Sequence, residues 1–139
     1  MSDREATPQI VAFYGSLRAG CAIPEQPSLA GRLIDLGSCA LAGTLYDLGE
    51  YPGLVAGEGR VVGELHQLLD PSVIGELDRY EGYDELDPSR SEYVRRVARL
   101  IDPALDAWVY YFNGETRDLA PVPSGDWAEH IRFRERGAC

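Results

Sequence analysis

Glu81 is the residue in this chain whose type and position suit proton transfer. It follows Leu77 by four residues and Ile74 by seven, on an apolar stripe of Val73, Ile74, Leu77 and Tyr80 at helical spacing. A carboxylate on the buried face of a helix is costly unless something pairs with it or uses it. At a helix C-terminus the backbone dipole opposes negative charge as well. Both effects raise a carboxyl pKa from ~4.3 toward neutrality, where one group can both accept and return a proton. The alternative is a frayed last turn with Glu81 facing water. A second candidate is the break after Tyr14, in Gly15-Ser16-Leu17. Backbone N–H groups that leave a strand ladder there can form a concave anion site. The alternative is an ordinary surface turn.

Other chemistries find less support. The segment after Tyr14 is neither GxGxxG nor a Walker loop, so nucleotide binding is not indicated. A serine hydrolase using Ser16 would need a GxSxG elbow and a histidine with an acidic partner. The elbow is missing, and neither His66 nor His130 has a marked acidic partner in the sequence. Two scattered histidines, with no HExxH or Cys/His spacing, do not make a metal site. Cys21, Cys39 and Cys139 are odd in number and widely spaced, which points to reduced thiols. Nothing near Cys21 would lower its pKa enough to make it reactive. Arg95 shares a strand face with Tyr93. An exposed strand arginine is the favoured reading there, over one that helps to hold an anion.

These residues need elements to position them. A helix is expected over 71–80, with Asp70 as N-cap, Pro71 in the first turn and Gly82 as the stop. A buried strand is expected over 9–14, and further strands over 39–47, 60–68, 92–101 and 107–112, the last two as a hairpin. In that hairpin Tyr93, Arg95, Val97 and Arg99 share one face, and so do Trp108, Tyr110 and Phe112. A helix is expected over 28–37 on the stripe Leu29, Leu33 and Leu36, and a weaker one over 127–136 capped by Asp126. Residues 48–54, 84–91 and 121–125 read as loops and links, and Val62-Gly63-Glu64-Leu65 fits strand alternation poorly. This order suits an α+β domain with a mixed, curled sheet, and five short strands suffice to close a small barrel.

At 139 residues a single domain is expected, with a flexible N-terminus over 1–8 and one domain over 9–139. The formal net charge of -10 repels phosphate backbones and gives no attraction to anionic membranes. No apolar run is long enough to span a bilayer, and residues 1–8 lack the apolar core of a signal peptide. The expectation is a cytoplasmic protein with a small-molecule partner, not a nucleic acid or a membrane.

Several segments, in order, resemble the gamma-glutamylcyclotransferase-like family. They are Tyr14-Gly15-Ser16-Leu17, Leu77-Asp78-Arg79-Tyr80-Glu81-Gly82-Tyr83, and the hairpin with Tyr93 to Arg96 and Ala107-Trp108-Val109-Tyr110. Leu45-Tyr46-Asp47-Leu48-Gly49, Tyr51-Pro52-Gly53 and Pro123-Ser124-Gly125-Asp126-Trp127 are similar too. The resemblance implies a small, partly closed mixed β-barrel of about five to six strands flanked by helices. It implies that Tyr14, Gly15, Ser16 and Leu17 hold the α-carboxylate of a substrate, that Glu81 is the acid/base and that Tyr110 lines the pocket. It further implies release of 5-oxoproline from a gamma-glutamyl amine or peptide, without metal or organic cofactor. The alternative is a non-catalytic protein that binds small carboxylates in the same pocket.

Overall fold

A computed structural model describes residues 8–15 and 31–135, with side chains to residue 132. The elements are β1 (Ile10–Phe13), β2 (Leu33–Asp47), β3 (Pro52–Leu68), α1 (Val73–Glu81), a 3-10 turn (Pro88–Arg90), β4 (Tyr93–Arg99), β5 (Asp106–Phe112), β6 (Ala120–Pro121) and α2 (Trp127–Glu135). The six strands form one sheet in the order β4-β5-β1-β3-β2-β6. It is mixed, because β1 runs antiparallel to β3 and parallel to β5.

The sheet curls into a half-barrel. Long ribbons twist, and the β2–β3 ribbon carries register shifts between Asp35 and Gly37 and between Ala42 and Thr44. Bulges of this kind sharpen a strand's bend. Gly43 occupies the second one at φ 148°, with Val55 O only 2.6 Å from where a Cβ would stand. The connection after β4 then meets β2: Ala40 N–H donates to Asp102 O at 2.8 Å, and Ile101 N–H to Ala40 O at 2.9 Å.

Both faces of the sheet are covered. One core joins Leu41, Leu45, Leu54, Val61, Leu65 and Val109 to Trp127 and Ile131 of α2. The other joins Val11, Phe13, Leu68, Tyr93 and Tyr110 to Val73 and Leu77 of α1. Strand β5 therefore feeds two cores, with Val109 to one side and Tyr110 to the other. At about 25 cal/mol per Å² of apolar surface, such two-sided burial dominates the stabilisation of a domain this size.

The expected helix over 28–37 is not formed. Residues 28–30 lie outside the described part, and Leu33 to Gly37 are the first residues of β2, paired with β3. The helical spacing of Leu33 and Leu36 loses to ladder pairing: Leu33 packs beside the α1 core while Leu36 is exposed. The expected 48–54 loop is shorter, because Pro52 already opens β3. Helix α1 starts at Val73 rather than residue 71, with Ser72 at the N-cap position. Asp70 acts one step earlier, its Oδ1 accepting from Ser72 N–H at 3.0 Å and Ser72 Oγ–H at 2.9 Å. The glycine stop holds: Gly82 is left-handed at φ 71°, and Tyr83 N–H donates to Asp78 O at 2.8 Å. Asp126 caps α2 through Oδ1 and Glu129 N–H at 3.3 Å. No helix among the described residues is long and apolar enough to cross a membrane.

Candidate functional site

The end of β1, the start of β3 and the β4–β5 hairpin are tied together beside the last turn of α1, which carries Glu81. Tyr14 leaves β1 with its side chain buried. Its hydroxyl donates to Tyr110 O at 2.5 Å and accepts from Leu54 N–H at 3.2 Å. Gly15 follows, pressed so close to Pro52 that a Cβ would lie 2.9 Å from its Cγ. Tyr93 is buried and donates to Pro52 O at 2.6 Å. Tyr110 is buried and donates to Asp78 Oδ1 at 2.6 Å. Each phenol therefore spends its only proton on a protein acceptor.

Glu81 closes α1 with a residue surface that is partly exposed and a carboxyl surrounded by protein atoms. Desolvation, followed by the charges of Glu92 and Asp78, pushes its pKa up to about 8. Its charge is felt in turn by Tyr14, Tyr93 and Tyr110, whose phenols are held above their ordinary value chiefly by burial. Of these four groups, Glu81 is the one that exchanges protons near neutral pH. Its burial follows from the stripe: Val73 and Leu77 are fully buried beneath it, which turns the last residue of the same face toward the sheet.

Of the residues expected in the site, Tyr14 and Tyr110 are hydrogen-bonded to each other within electrostatic reach of Glu81, and Gly15 follows Tyr14 against Pro52. Ser16 and Leu17 lie outside the described residues, as do Cys21 and Cys139. Two neighbours, Glu92 and Asp78, were not foreseen as part of it, and a third, Arg95, was read as exposed. Glu92, just before β4, acts on Glu81 and accepts from Tyr51 O–H at 2.9 Å. Asp78 lies one turn before Glu81 and pairs with Arg95, Nε to Oδ1 at 2.8 Å and Nη2 to Oδ2 at 3.1 Å. Arg95 is accordingly not an exposed strand arginine: its side chain is 11 % exposed, with the guanidinium 4.3 Å from the Trp108 ring centroid. The signal was available in the hairpin alternation, since Arg95 is directly opposite Tyr110 on the face that α1 covers.

Both histidines do have acidic partners, contrary to the sequence reading. His130 Nε2 is 2.8 Å from Asp47 Oδ2, and His66 Nε2 is 3.5 Å from Glu64 Oε1. The first pair crosses from α2 to β2, which a linear motif does not reveal, whereas the second lies two residues apart along β3 and was within reach of the sequence. Among the described residues no three His, Cys, Asp or Glu side chains converge as a metal site would require.

Comparison with known proteins agrees with this architecture. The family model described as gamma-glutamyl cyclotransferase, AIG2-like matches residues 11–129. A gamma-glutamylcyclotransferase family protein, YtfP of Escherichia coli K12, is 35% identical over 85 residues, covering 61% of this chain and 67% of the relative. Its Citrobacter rodentium counterpart is 33% identical over 89 residues, covering 64% and 70%. The solution structure of the Escherichia coli protein superposes with a TM-score of 0.65 at 28% identity, covering 88% of this chain and 98% of that one. The chain belongs to the gamma-glutamyl cyclotransferase, AIG2-like family.

Proposed function

We propose that the protein is a gamma-glutamylcyclotransferase-type enzyme that releases 5-oxoproline from a gamma-glutamyl amine or peptide, with Glu81 as its proton carrier. The observation that carries this reading is the Glu81 carboxyl: surrounded by protein atoms at a helix end, within electrostatic reach of three phenols that donate their protons to other acceptors, and pushed up by desolvation to about 8. A carboxyl raised that far accepts a proton from an amine at much smaller cost than one titrating near ~4.3 would.

The free α-amine of the substrate attacks its own γ-carbonyl carbon. A C–N bond forms to close the five-membered ring, and the bond to the departing amine breaks. Glu81 takes a proton from the attacking nitrogen and returns one to the leaving nitrogen, so the carboxyl ends as it began. Folding the substrate so that amine and carbonyl meet is a proximity effect, which holding its α-carboxylate would supply. Tyr14 and Gly15, with Ser16 and Leu17 after them, are the proposed carboxylate loop, and Tyr110 is the proposed lining of the pocket.

The test is release of 5-oxoproline from a panel of gamma-glutamyl amines and peptides by the wild type and by Glu81→Gln. Turnover by the wild type with a loss of at least 100-fold in the variant is expected. Equal turnover by both proteins rejects Glu81 as the proton carrier. Calorimetric binding of glutamate-like ligands with no product from any substrate would favour a carboxylate-binding protein instead.

A further inference from the structure

Asp78 and Arg95 do more than a surface ion pair could. Asp78 Oδ1 accepts from Arg95 Nε at 2.8 Å and from Tyr110 O–H at 2.6 Å, while Oδ2 accepts from Arg95 Nη2 at 3.1 Å. The two side chains are 14 % and 11 % exposed. The guanidinium also lies over two rings, 4.3 Å from the Trp108 centroid and 5.5 Å from that of Tyr83. This one group therefore joins α1, the segment after it, β4 and β5. A forked, stacked arginine is geometrically exacting, and lysine cannot reproduce it.

Asp78 stands three residues before Glu81, on the same side of the last turn of α1. A bare carboxylate in that position would oppose ionisation of Glu81, and a fully compensated one would do so much less. From this placement we infer that Asp78 and Arg95 are positioning residues for Glu81, fixing the helix end that carries it and setting the charge balance in which it holds or releases a proton. The titratable groups in electrostatic contact with Glu81 are Asp78 on its own helix, Glu92 just before β4, Tyr93 on β4, Tyr110 on β5 and Tyr14 after β1. Among them the Asp78 charge is the one with a built counter-ion, Arg95. The acid/base reading of Glu81 gives the pair its catalytic meaning, but the proton on Glu81 is measurable without turnover.

The experiment follows the side-chain carboxyl carbon of Glu81 by NMR in the full chain labelled at glutamate, with Glu81→Gln to assign the resonance. Asp78→Asn keeps the shape and removes the charge, so the Glu81 midpoint is expected to fall by about one pH unit. Arg95→Gln leaves Asp78 without its counter-ion, so the midpoint is expected to rise by about the same amount. Arg95→Lys keeps the charge without the fork, and its midpoint should stay close to that of the wild type while its melting temperature drops. If Arg95→Gln does not fold, Asp78→Asn and Arg95→Lys decide the matter by the same criteria. Midpoints that are unmoved in Asp78→Asn, or that move the same way in Asp78→Asn and Arg95→Gln, would reduce the pair to a packing strut. The low-pH limb of kcat/KM for 5-oxoproline release should shift with the NMR midpoints. Absence of product from every protein would reject the enzymatic reading alone and leave the titration result standing.

Discussion

The backbone N–H of Glu92 donates to the carbonyl of Gly82 at 3.0 Å, joining the residue before β4 to the residue after Glu81. That bond brings the Glu92 side chain to the end of α1, with Oε1 3.6 Å from where a Cβ on Gly82 would stand. Tyr51 O–H holds the other oxygen at 2.9 Å. The negative charge next to Glu81 is thus fixed by backbone and side chain together.

Glu92→Gln removes that charge and keeps an oxygen for Tyr51. A like charge disfavours the ionised form, so its loss lowers the Glu81 pKa from about 8. The acidic limb of the pH–rate profile is expected to move down by roughly half a unit to one unit. Measurement of kcat/KM between pH 5 and 10 checks this. A limb displaced upward would mean that Glu92 acts by hydrogen bonding and not by its charge.

The same carboxyl links stability to pH. Folded, Glu81 titrates near 8; in the unfolded chain a glutamate titrates near ~4.3. Between these values the folded state holds more protons than the unfolded one, so this group's contribution to stability falls as pH rises and levels off above the folded pKa. Glu81→Gln removes the dependence. Its stability relative to wild type should increase between pH 5 and 8.5 by on the order of 2 kcal/mol, after allowance for relaxation and water access. Urea denaturation at the two pH values measures it, and a difference that does not change with pH would place the Glu81 carboxyl in ordinary solvent.

Legibility in the sequence follows how local each signal is. Helix α1 was readable because its stripe, its glycine stop and its acidic end lie within one segment, and the raised pKa of Glu81 follows from that stripe. Strand β3 was harder because Gly63 occupies an inward position between Val61 and Leu65, which hides the alternation. Leu41 Cδ1 lies 2.6 Å from where its Cβ would be, so the residue is small because the neighbouring strand fills the space. The first third of β2 was misread because Leu33 and Leu36 carry helical spacing, and only pairing with β3 decides against it. Asp78 is one helical turn from Glu81, within reach of a spacing rule, but Arg95 joins Asp78 through strand register and Glu92 reaches the helix end through a backbone bond across ten residues, which no spacing rule encodes.

Tyr14 combines two buried hydrogen bonds in one hydroxyl. Tyr14→Phe orphans Tyr110 O and Leu54 N–H, both in the core next to the site. Leaving a buried polar group unpaired costs about 1–3 kcal/mol. A loss of roughly 2–4 kcal/mol is therefore expected, since the apolar ring remains packed and the two orphaned groups add incompletely. Denaturant titration at pH 6 measures it. A loss below ~1 kcal/mol would show that water reaches these groups and that the wall beside Glu81 is open.

Gly15 faces a rigid neighbour. An added Cβ would lie 2.9 Å from Pro52 Cγ and 3.0 Å from Cδ, and Pro52 is anchored by the hydrogen bond from Tyr93 to its carbonyl. A proline ring cannot swing aside, so in Gly15→Ala the turn after β1 must move instead. The added Cβ would clash with one ring alone, so the stability cost should be modest, about 1 kcal/mol. The catalytic cost should be larger, because displacing the proposed carboxylate loop by a fraction of an ångström misaligns amine and carbonyl. A fall in kcat/KM of roughly 10- to 100-fold is expected. Kinetics of 5-oxoproline release measured beside a thermal melt separate the two effects. A lowered melting temperature with unchanged kinetics would restrict Gly15 to packing and take the carboxylate away from this turn.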